Sequence, residues 1–240
     1  MFEYRSGRPP VPRPAPFRVD VTVIDPIDSH QRKITGAFMK LHYTKPSPYA
    51  RKVIATAREL QLLPKIELIE VTTPTLPTNS NPALAHENPL VKVPVLETDD
   101  GGRLFDSVVI AEFLDDLAGG SLFPKGGPLK WRALKLHALA DGAMDAGVLV
   151  RLEGVRPENH RWPAWVDAQR GKVAGALNYL DANPELLDGG FHIGHIALVC
   201  ALEWLEFRQI VPAWSTGRPH LTAWYRSVCD KPSLVATRPA

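Results

Sequence analysis

Strand-forming patterns in this 240-residue chain stop near residue 118, and long helical patterns take over from Leu129. A chain divided in this way cannot be built on one continuous sheet and calls for two unlike halves. In the first half, residues 40–44 read as a strand, and Tyr49, Val53, Ala57 and Leu60 share one face of a helix that ends near 61–63, ahead of Pro64. A strand-like run at 66–71 follows, then a polar, proline-containing stretch at 72–88 with one helical turn around 83–86. Residues 93–97 and 103–105 flank the turn Asp99-Asp100-Gly101-Gly102 as a hairpin. Asp106-Ser107 then opens a helix over 108–117, stopped by Ala118-Gly119-Gly120.

The second half carries one helix through Leu134, His137, Ala138 and 144–152, another over 165–180, and a buried-looking one over 193–207. A last pair occupies 220–229 and 233–237. The expected organisation is therefore a small α/β domain with mixed strand directions at 39–118, a Gly/Pro-rich linker at 119–128 and an all-helical domain at 129–240. Residues 1–38 hold Pro9, Pro10, Pro12, Pro14 and Pro16 and no sustained periodicity beyond 21–24. That composition is expected to stay disordered and dispensable, or to be an upstream extension of an alternative start, with the folded part beginning at Met39.

A net charge of +2 from 28 interleaved basic and 26 acidic residues argues against nucleic acid as a partner. No run of eighteen apolar residues and no signal-peptide core occur, so a cytoplasmic location away from membranes is expected. Cys200 and Cys229 stand far apart in helical stretches, and no Cys/His group has metal-ligand spacing, so both read as inert core thiols and no metal is expected.

The segment Met39-Lys-Leu-His-Tyr-Thr-Lys-Pro-Ser-Pro-Tyr-Ala-Arg-Lys-Val53 passes from strand through a proline-bracketed turn into a helix. Ser47 falls at the helix entrance, where unpaired N–H groups and the helix dipole favour an anion. Pro48 suits the first helical position, and Arg51, one turn along, is placed to add its charge to the same spot. Alone, this pattern reads as a plain N-cap.

Three stretches change that balance. Ser47-Pro48-Tyr49-Ala50-Arg51-Lys52-Val53 resembles the first helix start of serine-type and cysteine-type glutathione transferases. Asn88-Pro89-Leu90-Val91-Lys92-Val93-Pro94-Val95-Leu96 resembles the segment with that family's cis-proline, and Leu104-Phe105-Asp106-Ser107 its acidic-Ser pair, in the same order and approximate spacing. The resemblance runs from Met39 to about Thr237 and implies a thioredoxin-like α/β domain followed by an all-α domain, usually as a homodimer.

The resemblance also implies roles. Ser47 donates to the thiol of glutathione, with Arg51 as thiolate support, so that the thiolate attacks a small hydrophobic electrophile. The backbone of Val93, ahead of a cis Pro94, pairs with the tripeptide as an added strand does. Asp106 and Ser107 take the γ-glutamyl amine and carboxylate, and Lys92 approaches the glycyl carboxylate. Tyr43 and Tyr49 are alternative hydroxyls whose expected use is packing. In Gly189-Gly190-Phe191-His192-Ile193-Gly194-His195, which resembles the family's buried-helix start, His192 and His195 replace the usual Ser/Thr and Asp of an N-capping box and read as structural. Two other readings remain open: a glutathione-dependent reductase or lyase, and a non-catalytic binding module.

Overall fold

The computed structural model describes residues 39–72 and 81–239. The expectations for residues 1–38 and for 73–80 fall outside these. Strand β1 (Met39–Tyr43) leads into helix α1 (Pro48–Glu59), followed by β2 (Ile66–Glu70), helix α2 (Pro82–Glu87), β3 (Val95–Glu97), β4 (Arg103–Leu104) and helix α3 (Ser107–Leu117). The sheet order is β2-β1-β3-β4, with β1 parallel to β2 and the other pairs antiparallel, which is the mixed sheet expected of a thioredoxin-like domain. The first helix ends earlier than its apolar spacing suggests, because Gln61 turns to φ 58° and a 3₁₀ turn, Leu63–Lys65, follows.

Strand alternation sends Met39 and Leu41 inward with Leu96, against Val53 and Ala57 of α1 and Ile110 and Leu114 of α3. The intervening Lys40 and His42 point to the other face. The long helix α4 (Gly127–Gly154) begins inside the expected linker and packs on α5 (Pro163–Ala182) and on α6 (Ile193–Phe207), with α7 (Pro219–Val228) and α8 (Pro232–Val235) completing the helical domain. Every residue of α6 from Ile193 to Leu205 is buried, as befits a helix that is apolar nearly all round. Its start lies so close to α4 that a Cβ on Gly194 would stand 2.6 Å from the Ala133 carbonyl oxygen.

Two devices join the halves. The Asp115 carboxylate, 1% exposed, accepts backbone N–H bonds from Ser121, Leu122 and Phe123 at 2.8, 2.7 and 3.0 Å, and the Leu122 carbonyl accepts from Ile193 N–H at 3.0 Å. That fixes the exit from α3 to the beginning of α6. An apolar seam of Ala55, Ala111, Phe123, Ile196, Val199, Cys200 and Leu234 runs between α1, α3, α6 and α8. Helix α1 is thus sandwiched, and its charged residues Arg51 and Lys52 are 6% and 0% exposed.

Candidate glutathione site

Ser47 caps α1. Its backbone is extended (φ −81°, ψ 119°), and its Oγ accepts the N–H of Ala50 at 3.2 Å. Because the hydroxyl acts as an acceptor in that bond, its own proton is left to donate. The turn before it is closed by Ser47 N–H to the Thr44 carbonyl at 3.1 Å, and the indole Nε1–H of Trp204, on α6, donates to the Pro46 carbonyl at 2.9 Å.

The Val93–Pro94 bond is cis, as the resemblance implies. Pairing of β3 with β1 begins at Val95 opposite His42, so Val93 lies just ahead of the ladder. The loop before it is organised by Asn88, 2% exposed, whose side chain accepts from Leu90 N–H at 2.9 Å and donates to the Lys92 carbonyl at 3.0 Å. Lys92 itself is exposed. At the start of α3 the cap is Asp106, exposed, with Oδ1 accepting Val108 N–H at 3.1 Å; Ser107 is the first helical residue and is buried. The α3 cap is therefore Asp106, and Ser107 does not serve as one.

Arg51 does not support a thiolate. Its guanidinium turns away from the helix entrance into the domain interface, where Nη2 pairs with Glu203 and donates to the Leu234 carbonyl at 3.3 Å, and Nε reaches Thr237 Oγ1 at 3.4 Å. Glu203 is also held by the Tyr225 hydroxyl at 2.7 Å and by Arg238 at 3.6 Å. The charge expected beside Ser47 is therefore paired with Glu203 inside the interface.

Tyr49 is half-buried and its hydroxyl donates to Asp145 of α4. Burial first, then that bond and the negative fields of Asp145, Asp141 and Asp106, push its ionisation far above the ordinary tyrosine range. Its proton is committed, which removes it as a thiol donor. Tyr43 is half-buried against the sheet core, the packing role expected of it.

A second group escaped the sequence reading. Lys52 Nζ, wholly buried, donates to both carboxylate oxygens of Asp141 at 2.8 Å and lies 2.9 Å from His137 Nε2. An ammonium can only donate, so Nε2 accepts and the proton of the neutral ring sits on Nδ1. Burial, then the Lys52 charge, lowers the His137 pKa to about 3, while burial raises that of Asp141 against the opposing pull of Lys52. His137, Asp141 and Asp145 recur every fourth residue, one face of α4, which was the available signal.

His192 and His195 stack with ring centroids 3.8 Å apart, and neither ring has a well-formed hydrogen bond among the described residues. His192 occupies the N-cap position of α6 without a side-chain cap bond, so the capping function is lost rather than taken over by imidazole. Among the described residues one group, His42, Glu87 and Glu97, brings metal-ligand atoms within 4.8 Å of one another. Its carboxylates are engaged by cations: Arg103 Nε lies 2.8 Å from Glu87, and Arg103 Nη2 and Lys40 Nζ lie 3.5 and 3.4 Å from Glu97.

Comparison with known proteins gives these positions their context. Residues 46–117 match the family model described as "Glutathione S-transferase, N-terminal domain", and residues 163–227 that of the "Glutathione S-transferase, C-terminal domain". The "Uncharacterized GST-like protein YibF" of Escherichia coli (strain K12) is 34% identical over 207 residues, 84% of this chain and 98% of that protein. Elongation factor 1-gamma of Carassius auratus is 30% identical over 162 residues, 66% of this chain but 36% of that protein. Among solved structures, a glutathione transferase family member from Pseudomonas fluorescens Pf-5 with bound glutathione has a TM-score of 0.80 at 40% identity, over 84% of this chain and 99% of that one. A glutathione S-transferase from Methylobacillus flagellatus with glutathione bound has a TM-score of 0.74 at 34% identity, over 84% of this chain and 100% of that one.

Proposed function

The chain belongs to the glutathione transferase superfamily, and from that premise we propose that it conjugates the glutathione thiolate to a small hydrophobic electrophile, with Ser47 as the residue that stabilises the thiolate. The observation that carries this is the Ser47 hydroxyl at the start of α1, accepting from Ala50 N–H and so holding a free proton. Donation to a thiolate is a hydrogen bond to a charged acceptor, about 1.5 to 3 kcal/mol, which lowers a thiol pKa of about 8.5 by roughly one to two. The thiolate fraction near pH 7 then rises roughly tenfold or more. The sulfur forms the new bond to the electrophilic carbon, and the leaving group departs with the electron pair of the bond that breaks.

In the same reading, the Val93 backbone beside cis Pro94 pairs with the cysteinyl unit, and Asp106 with the α3 N-terminus and Ser107 takes the γ-glutamyl end. Lys92, exposed on its loop, is placed for the glycyl carboxylate. In this reading the protein acts as a cytoplasmic homodimer; no helix of the described residues is long and apolar enough to cross a membrane. The electrophile would lie against the helical domain, whose α4 presents Asp145 to Tyr49.

A reductase or lyase working through a mixed disulfide needs an enzyme thiolate, and the two cysteines are both buried, with burial pushing the Cys200 thiol up. The 30% identity to an elongation factor 1-gamma favours a different second reading, a glutathione-transferase-like binding module without catalysis. Calorimetric glutathione binding together with product formation from a model aryl halide tests the proposal. Binding with turnover supports it, binding without turnover favours the module, and the absence of both refutes it.

A further inference from the structure

We infer that Trp204 is a positioning residue for Ser47, aiming its hydroxyl from across the domain interface. The side chain of Trp204 is 3% exposed, and a buried indole must place its one N–H on an acceptor. It does so on the Pro46 carbonyl, 2.9 Å away and one residue before Ser47. Within the turn, the bond from Ser47 N–H to the Thr44 carbonyl closes the chain on itself but does not tie it to the rest of the protein. The indole supplies that tie from α6. The adjacent Glu203 grips the Arg51 side chain, one turn into α1, so consecutive residues of one buried helix hold the chain before and after Ser47.

A Cβ on Gly147 of α4 would stand 2.9 Å from Trp204 Cζ3 and 2.8 Å from Leu205 Cδ2, so the glycine leaves the space that the far edge of the indole occupies. Small displacements of a positioned group are costly in rate even when binding is untouched, because a hydrogen bond weakens steeply with angle. Trp204 would therefore govern ionisation of the bound thiol while leaving the affinity for the tripeptide, held elsewhere, almost unchanged. This inference rests on the reading of Ser47 as the thiolate donor.

The test titrates the thiol of bound glutathione by thiolate absorbance in the wild type, Ser47→Ala and Trp204→Phe. The phenyl ring keeps most of the packing and removes the N–H. The expected result is an alkaline shift in Trp204→Phe smaller than that in Ser47→Ala, a glutathione Kd within about twofold of wild type, and kcat/KM lower by roughly three- to tenfold at neutral pH but recovering at alkaline pH. Trp204→Phe with the wild-type thiol ionisation, whatever its melting temperature, overturns the inference and leaves Trp204 a packing residue. A wild type without bound thiolate, or a Ser47→Ala variant identical to it, overturns the Ser47 reading and the inference with it. Should Trp204→Phe fail to fold, the benzothienyl analogue at position 204, which exchanges N–H for sulfur at nearly constant volume, gives the same readout.

Discussion

Replacing Lys52 with methionine tests how the helical domain holds the helix that carries the site. Lys52 is fully buried and spends its ammonium on both oxygens of Asp141 and on His137 Nε2, at 2.8, 2.8 and 2.9 Å. Methionine matches the length and fills the space, so little cavity energy is lost. What remains is Asp141, largely enclosed, with its countercharge gone and with Asp145 and Asp106 already repelling it. Breaking a buried pair from one side costs about 3 to 5 kcal/mol; since the Asp141 side chain keeps 22% exposure, the lower part of that range applies, about 3 kcal/mol. The sign with pH follows from the raised pKa. In the variant, Asp141 has a folded pKa above its unfolded value, so the penalty is absent below about pH 4 and grows as pH rises through the folded value. Urea unfolding of wild type, Lys52→Met and Lys52→Met/Asp141→Leu at pH 7 and at pH 4.5 provides the measurement. The single variant should lose about 3 kcal/mol at pH 7 and less at pH 4.5, and the double variant should recover most of it. A loss below ~1 kcal/mol at pH 7, or a double variant no better than the single, would mean that Asp141 is not left as an uncompensated buried charge.

Two further outcomes are expected. Burial holds the His192 pKa at about 4 and that of His195 at about 3, so the native state binds fewer protons than the unfolded one. Their contribution is complete above about pH 6.5 and is lost as pH falls toward 4, on the order of 1 to 3 kcal/mol each; in a His192→Gln/His195→Gln variant the urea midpoint should depend less on pH over that window, and an unchanged dependence would contradict the assignment. Asp106→Ala should lose the α3 cap and about 0.5 to 2 kcal/mol by thermal unfolding, whereas Ser107→Ala should weaken glutathione binding by calorimetry with a smaller stability cost; the reverse pattern would return the capping role to Ser107.

The parts of this protein that were legible in its sequence are those written in local patterns. Val53 and Ala57 on one face of α1, the short hairpin around Asp99 and Gly101, and the apolar run of α6 each announce an element, and the motifs at Ser47, at Val93–Pro94 and at Asp106-Ser107 locate the candidate site. Arg51 was misplaced for a physical reason. Helical periodicity shows which face is apolar, but the opposite face of α1 is covered by another domain, and its charges are neutralised by Glu203 and Asp141, far along the chain. The Trp204 bond to Pro46 is likewise between residues that no spacing rule connects. His137, Asp141 and Asp145 were visible as a stripe on α4, yet only the fold shows that Lys52 and Tyr49 meet it.

The central claim, that Ser47 stabilises the thiolate of bound glutathione, is tested most directly by the pH dependence of kcat/KM for a model aryl halide in wild type and Ser47→Ala, with glutathione affinity measured alongside. The half-plateau pH of the wild type should move up by about one to two pH units in Ser47→Ala, with affinity nearly unchanged under the proposal that the Val93 backbone and the α3 start hold the tripeptide. Superimposable profiles for the two proteins would contradict it.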